Sequence, residues 1–112
     1  MKLMTTIKYD HRATIIHLDE DADTENPWVE GDNIYCRTRP LDRMGFVLME
    51  TDQYFEEDRH RFYNIRNRDG VVLYPYPDED EGRVLQIFDV SVRLDAFGKV
   101  VHYSYILAGT DQ

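Results

Sequence analysis

Short runs of apolar, β-branched and aromatic residues follow one another along the whole chain, with polar or turn-forming residues between them. Runs of this kind, bounded by Gly, Pro, Asn and Asp, are typical of β-strands. All four prolines stand at the edges of such runs, where strands tolerate them. The pattern predicts strands at residues 3–9, 12–18, 33–39, 45–50, 61–67, 71–76, 84–94 and 99–107.

The last two runs predict one long hairpin. Along a strand every second side chain points to the same face of the sheet. Residues 84, 86, 88, 90, 92 and 94 should therefore share one face of the first strand. Residues 95–98, Asp-Ala-Phe-Gly, begin with a polar residue and end in glycine, as a tight turn does. A similar turn is predicted at residues 67–70, Asn-Arg-Asp-Gly.

Residues 51–60 fit two structures equally well. Thr51 or Asp52 could cap a short helix whose first turn is acidic, or the segment could be a loop. With seven or eight strands and at most one short helix, we expect a mainly β fold. It would be a small antiparallel barrel, a sandwich or a strongly bent sheet. The length of 112 residues and the lack of a linker predict a single domain, residues 1–112.

The composition excludes several classes of protein. With 8 Tyr, 5 Phe and 1 Trp, the chain is globular in composition and not disordered. Its single cysteine, Cys36, forms no internal disulfide, and its place within a strand predicts a buried, unreactive thiol. No apolar run reaches the ~18–20 residues of a membrane helix, and no secretion signal is visible. We therefore expect a cytoplasmic protein that does not bind membranes.

The chain is acidic, with 22 Asp and Glu against 13 Lys and Arg and a net charge of −9. This balance disfavours binding to duplex nucleic acid, which needs a basic face. Most of the excess lies at residues 19–32 and 78–81, which lack periodic apolar residues and are predicted to be exposed loops. Acidic loops attract basic partners over long range. The predicted partner-binding residues are Asp19, Glu20, Asp21, Asp23, Glu25, Asp78, Glu79, Asp80 and Glu81.

Part of the first loop resembles a calcium-binding sequence. The spacing of Asp19, Asp21, Asp23 and Glu30 is that of positions 1, 3, 5 and 12 of an EF-hand loop. However, Thr24 stands where the loop needs glycine for its sharp turn, and the flanking residues predict strands instead of helices. We expect weak calcium binding or none, and no cofactor.

Residues 59–68 are basic, with four arginines beside Phe62 and Tyr63. Single-stranded nucleic acid is bound by such residues, but this segment is short, and we expect its arginines to pair with the many carboxylates. The sequence contains no nucleophile motif or phosphate-binding glycine loop, so no catalytic residue is predicted. His11, His17, His60 and His102 do not have the spacing of zinc ligands.

These observations favour a small acidic, non-enzymatic binding protein. One form of it is an inhibitor that presents carboxylates to a basic surface of a partner protein, including a surface that binds nucleic acid. A first alternative is a small barrel that binds or converts a small molecule, with His102, Tyr103, Tyr105 and Asp89 near its mouth. A second is a structural subunit that assembles through residues 46–49. The sequence leaves the oligomeric state open.

Overall fold

A computed structural model describes residues 9–19, 27–41, 45–74 and 84–109. These residues contain strands and connecting segments and no helix, which confirms a mainly β fold. The seven strands are β1 (His11–Leu18), β2 (Trp28–Pro40), β3 (Phe46–Thr51), β4 (His60–Arg66), β5 (Val72–Tyr74), β6 (Leu85–Leu94) and β7 (Val100–Gly109).

All strand pairs are antiparallel, in the order β1-β2-β3-β7-β6-β4-β5. Because β1 also pairs with β4, six strands close into a barrel and β5 is an additional strand beside β4. The structure is thus the small antiparallel barrel that the sequence predicts among its alternatives, and it ends in the predicted hairpin, β6–β7.

Strand β4 pairs with two different strands along the same edge. Its first half pairs with β6 through Arg61 and Phe62, and its second half pairs with β5 through Ile65 and Arg66. Asn64 lies between the two halves with φ of 50°. Asparagine tolerates this left-handed conformation better than most residues, so it can bend the strand at the change of partner.

The core is the inside of the barrel. Alternate residues of each strand point inward, so Cys36 of β2 and Val47 and Met49 of β3 are buried while their neighbours face outward. A barrel of six strands is narrow, and large side chains fill it. The largest fully buried side chains are those of Tyr105, Phe62, Met49, Ile65, Leu107, Thr51 and Cys36.

Residues 52–59, the cap segment, connect β3 to β4 and pack on the barrel as a loop. Phe55 is buried, with its ring 5.1 Å from the ring of Phe62. The hydroxyl of Tyr105 accepts a hydrogen bond from the Phe55 N–H at 2.7 Å and donates one to the Gln53 carbonyl at 2.7 Å. Because tertiary contacts satisfy these backbone groups, the segment is the loop of the two predicted alternatives, and no helix forms.

Two expectations about local structure are wrong. Residues 28–32 are not part of an exposed loop but begin β2, where Trp28 pairs with Leu18 and Val29 with His17. On β6, a bulge between Ile87 and Asp89 shifts the alternation by one residue. Leu85 and Ile87 are therefore buried, whereas Phe88 is exposed. The strand predicted at residues 3–9 lies outside the described residues except for Tyr9, which is not in a strand.

Candidate functional site

The outer half of the β6–β7 hairpin stands apart from the barrel. Every residue from 91 to 101, which we call the arm, is exposed. The arm nevertheless contains five large apolar side chains: Val92, Leu94, Phe97, Val100 and Val101. Four of them have exposed fractions between 43% and 50%, and that of Phe97 is 89%. Contiguous exposed apolar surface of this kind is unusual on a monomeric protein.

The apolar side of the arm continues the inner surface of the barrel. On β6, Val90 lies opposite the buried Tyr105 and Val92 opposite the half-buried Tyr103. Further out, Leu94 pairs with Val100. The same alternation that fills the barrel thus runs past the point where other strands cover it. The chain builds a core-like surface and leaves it in contact with solvent.

A well-defined turn places Phe97 at the end of the arm. The Asp95 carboxylate accepts hydrogen bonds from the N–H groups of Phe97 and Lys99, at 2.8 and 2.9 Å. The Gly98 N–H donates to the Asp95 carbonyl at 3.1 Å, and Gly98 has a φ of 82° that favours glycine. These bonds involve the backbone at positions 97–99 and make no use of the Phe97 ring.

The turn between β4 and β5 has the same construction. The Asn67 side-chain oxygen accepts hydrogen bonds from the N–H groups of Asp69 and Val71, at 2.9 and 3.0 Å, and Gly70 has a φ of 83°. Its two outer positions hold Arg68 and Asp69, both exposed and polar. A phenylalanine is therefore not required by this turn geometry, and the exposure of Phe97 needs another explanation.

The cap segment is acidic and contacts the base of the arm. The ring of Tyr54 packs edge-on against that of Tyr103, with 5.5 Å between centroids, and so joins the cap segment to β7. Around Tyr54 the segment has four exposed carboxylates and one arginine, Arg59, which lies 3.5 Å from a Glu56 oxygen. The carboxylates belong to Asp52, Glu56, Glu57 and Asp58. Apolar and acidic surfaces are thus adjacent.

The residues predicted from sequence to bind a partner lie mostly outside the described residues. Only Asp19 of that set is described, and its N–H donates to the Pro27 carbonyl at 2.8 Å. Those outside are Glu20, Asp21, Asp23, Glu25, Asp78, Glu79, Asp80 and Glu81.

The proposed calcium ligands are also only partly described. Asp21 and Asp23 fall outside the described ranges, and Glu30 lies within β2 opposite Ile16 instead of in a loop. In the described part of the chain, no three His, Cys, Asp or Glu residues come close enough together to hold a metal ion.

The side chains considered for a small-molecule site do not share one surface. Tyr105 points into the barrel, Tyr103 lies beside Tyr54, and Asp89 is exposed on β6. His102 is buried on the side of β7 opposite to Tyr105, with Nε2 2.8 Å from a carboxylate oxygen of Glu50. Arg37 donates to that same carboxylate at 2.9 Å from Nε, so the three groups form one polar network.

Residues 46–49, considered for assembly, do not form a single apolar face. Val47 and Met49 are buried in the core, whereas Phe46 and Leu48 lie on the outer side of β3 and are only partly exposed. The surface that such a subunit would need is therefore divided between the two sides of the strand.

The structure confirms the expected burial of Cys36, which has no exposed surface. Burial raises the pKa of its thiol to about 12, and the nearby Asp10 carboxylate adds to the effect, so the reactive thiolate is scarce at neutral pH. The β1–β4 pairing also makes His17 and His60 direct cross-strand neighbours, which sequence spacing could not reveal.

Comparisons with protein-family models, curated proteins and solved structures found no match for this chain. Among the described residues, no helix is long and apolar enough to cross a membrane. The geometry of the arm and the cap segment is therefore the basis for a functional proposal.

Proposed function

We propose that this protein is a non-enzymatic binding protein that docks on a partner protein through its arm. The observation that carries the proposal is the exposed Phe97, held at the end of an apolar strand pair by a turn that does not require it. Apolar patches of this kind mark interaction sites, and buried aromatic anchors supply much of the binding energy in interfaces.

The charge of the chain suggests the chemistry of the partner. The cap segment, which contacts the base of the arm through Tyr54 and Tyr103, has four exposed carboxylates, and the whole chain has a net charge of −9. A second copy of such a chain would be repelled, whereas a protein with Lys and Arg around an apolar patch would be attracted. We therefore propose a different protein with a basic surface as the partner.

An inhibitor is one form of this function. If the basic surface of the partner normally holds nucleic acid, an acidic protein seated on it would block that site. The acidic residues at 19–25 and 78–81 would then add to the attraction, as the sequence suggests. The inhibitor form holds only if the partner binds nucleic acid, whereas the docking proposal does not require that.

A comparison of two phenylalanines on β6–β7 tests the docking proposal. The tagged protein is used to isolate its partner from the native cell at low salt, and binding of the purified partner is then measured by surface plasmon resonance. A phenylalanine that anchors an interface contributes about 2 kcal/mol, so Phe97→Ser should weaken binding about 30-fold. The matched control is Phe88→Ser, because Phe88 is 59% exposed on the same hairpin but packs on Phe46 away from the arm. Unchanged affinity of Phe97→Ser would contradict the proposal.

Neutralising the cap segment tests the predicted charge of the partner. The variant Glu56→Gln/Glu57→Gln/Asp58→Asn should associate more slowly than wild type at low salt. The difference should vanish near 1 M salt, where the Debye length is ~3 Å. A second variant, with residues 78–81 changed to their amides, shows whether that loop contributes to the same attraction. Equal association rates for wild type and both variants would mean that the partner is not basic.

A further inference from the structure

The outer face of three adjacent strands, β2, β1 and β4, has a row of cationic and aromatic side chains. Arg12 of β1 pairs with Tyr35 of β2 on one side and with Arg66 of β4 on the other. In the next row, Thr14 of β1 lies between Asn33 of β2 and Tyr63 of β4. We call the surface formed by Arg12, Arg66, Tyr35 and Tyr63 the arginine–tyrosine face.

Most of the arginines at residues 59–68 have no carboxylate partner among the described residues, whereas the sequence predicts such pairs. Of the four arginines at residues 59–68, only Arg59 forms an ion pair with an acidic residue that the structure describes. Arg61 lies over the ring of Trp28, 4.0 Å from its centroid, and Arg66 donates to the Gly70 carbonyl at 3.4 Å. Arg12 lies 5.9 Å from the centroid of the Tyr35 ring.

The pairing of Arg12 with Arg66 is unfavourable in itself. Like charges placed directly opposite each other on neighbouring strands destabilise a sheet. The chain has 22 acidic residues, but among those described none forms an ion pair with either guanidinium. Both arginines are exposed, and once Arg66 releases the Gly70 carbonyl an anion that bridges the two guanidiniums would relieve the repulsion. Guanidinium groups bind phosphate in a bidentate geometry, which makes phosphate the anion best suited to this pair.

The aromatic side chains indicate what kind of phosphate-containing ligand fits this face. Tyr35 is 63% exposed and lies beside Arg12, so its ring can accept a stacked base next to a bound phosphate. Tyr63 lies on β4, two strand spacings or about 10 Å from β2. Bases can stack on protein rings only where they are not paired in a duplex.

From these observations we propose that the arginine–tyrosine face binds single-stranded nucleic acid. A phosphate would bridge Arg12 and Arg66, and an adjacent base would stack on Tyr35. The described acidic residues of β2 nearest to this face, Glu30 and Asp32, lie beyond the Asn33 row, which leaves the Arg12 row for the phosphate. This binding does not involve the arm, so it goes beyond the docking function and can succeed or fail independently of it.

The test measures the fluorescence anisotropy of a labelled 12-nucleotide single strand of thymidine as the protein is added, at 0.1 M salt and above. Each phosphate contact with a single strand contributes about −0.7 to the slope of log affinity against log salt. Two arginine contacts therefore predict a slope of about −1.4. The variant Arg12→Gln/Arg66→Gln should abolish the slope and weaken binding about 25-fold at 0.1 M salt. Arg93→Gln/Lys99→Gln, which removes two positive charges from the arm, is the matched control and should bind like wild type.

Variants of Tyr35 distinguish stacking from charge. Tyr35→Ala should weaken binding about 5- to 150-fold without changing the salt slope, because a stacked base contributes about 1–3 kcal/mol. Tyr35→Phe retains the ring and should retain the affinity. Circular dichroism confirms that each variant is folded. If the double arginine variant does not fold, the two Tyr35 variants still decide the outcome.

Three results would overturn the proposal. The first is no change in anisotropy with wild-type protein at 0.1 M salt. The second is equal affinity for a 12-base-pair duplex. The third is equal affinity for heparin together with no loss in Tyr35→Ala, which would reduce the face to a general polyanion patch. A Phe97→Ser variant with unchanged binding to the oligonucleotide would show that this face and the arm are separate sites.

Discussion

The two halves of the β6–β7 hairpin have similar residues and opposite surroundings. In the inner half, Ile87 and Leu107 pair inside the barrel and are buried. In the outer half, Leu94 and Val100 also pair, beyond a second register shift that follows Arg93, and are about half exposed. The difference lies in whether other strands cover the pair and not in the pair itself. Alternation of apolar residues therefore shows where a strand could be buried, and only the fold shows whether it is.

The largest expected difference between the two halves is in stability. Leu107→Ala should lower the free energy of unfolding by about 2–5 kcal/mol, because it leaves a cavity in the barrel. Leu94→Ala should change it by less than about 0.5 kcal/mol, as an exposed position does. Urea denaturation followed by circular dichroism measures both. A loss of more than ~2 kcal/mol in Leu94→Ala would mean that the arm is packed in solution and that the comparison fails.

Alkaline pH should lower the free energy of unfolding through Tyr105, in the inner half of the hairpin. Burial raises the pKa of Tyr105 to about 12, although its hydrogen bond from Phe55 acts in the opposite direction. An unfolded tyrosine loses its proton near pH 10, whereas folded Tyr105 keeps it to about pH 12. The unfolded state thus binds fewer protons in this interval, so stability is unaffected below pH 10 and falls by about 2–3 kcal/mol between pH 10 and 12.

The measurement compares Tyr105→Phe with Tyr103→Phe by urea denaturation from pH 8 to 12. Both are made in a Tyr9→Phe/Cys36→Ala background, because the raised pKa values of the Tyr9 hydroxyl and the Cys36 thiol produce losses in the same direction. Tyr105→Phe should lose the alkaline decline, and Tyr103→Phe should retain it. The same decline in both variants would show that Tyr105 is not its source.

The two matching turns allow a smaller difference to be tested. An L-residue at positive φ costs about 1–2 kcal/mol, so Gly70→Ala and Gly98→Ala impose the same local strain. The turn at 67–70 is held on both sides by the buried Ile65 and Tyr74, and its strain should lower the global free energy of unfolding. The arm can fray without opening the barrel, so Gly98→Ala should mainly increase hydrogen exchange of arm amides. Equal global losses would show that the arm and the barrel unfold together.

The smallest effect is expected from exchanging the outer residues of the two turns. Phe97→Asp and Asp69→Phe exchange equivalent positions and should each change the free energy of unfolding by less than ~0.5 kcal/mol, because each turn uses the backbone N–H at this position and not the side chain. Thermal denaturation is sufficient to measure both. A clear loss in Phe97→Asp would show that the ring supports the fold, and the exposure of Phe97 would no longer favour docking.

Much of this fold could be predicted from sequence because strands leave a local signal. Alternation identified β6 and β7, and the glycines at 70 and 98 identified both turns. The bulge beside Phe88 could not be predicted, because a slip of one residue depends on hydrogen bonds with β7. The start of β2 could not be predicted either, because Glu30 and Asp32 are acidic and exposed although they lie in a strand.

The candidate sites were harder to predict from the sequence than the fold was. In the sequence, the five apolar residues of the arm resemble core residues. They are exposed because the neighbouring strands end before reaching them. The arginine–tyrosine face requires β1 to pair with β4 as well as β2, and Arg12 and Arg66 are far apart in the chain. The basic segment at 59–68 was visible, but only the structure shows that most of its arginines lack a described acidic partner.

The closure of the barrel has a consequence for the rate of folding. Four of the pairings, β1–β2, β2–β3, β4–β5 and β6–β7, join strands that follow each other in sequence and can form early. Closure requires β3 to meet β7, and Phe46 pairs with Ala108, 62 positions later. Chains dominated by such distant contacts fold in milliseconds to seconds, because the entropy of a long loop is lost before the contacts form.

During that interval the sheet is open and its free strand edges can pair with those of other molecules, which leads to aggregation. Mutual repulsion between chains of charge −9 slows these encounters. The acidity that we propose attracts a basic partner after folding would therefore also protect the half-closed barrel while it folds.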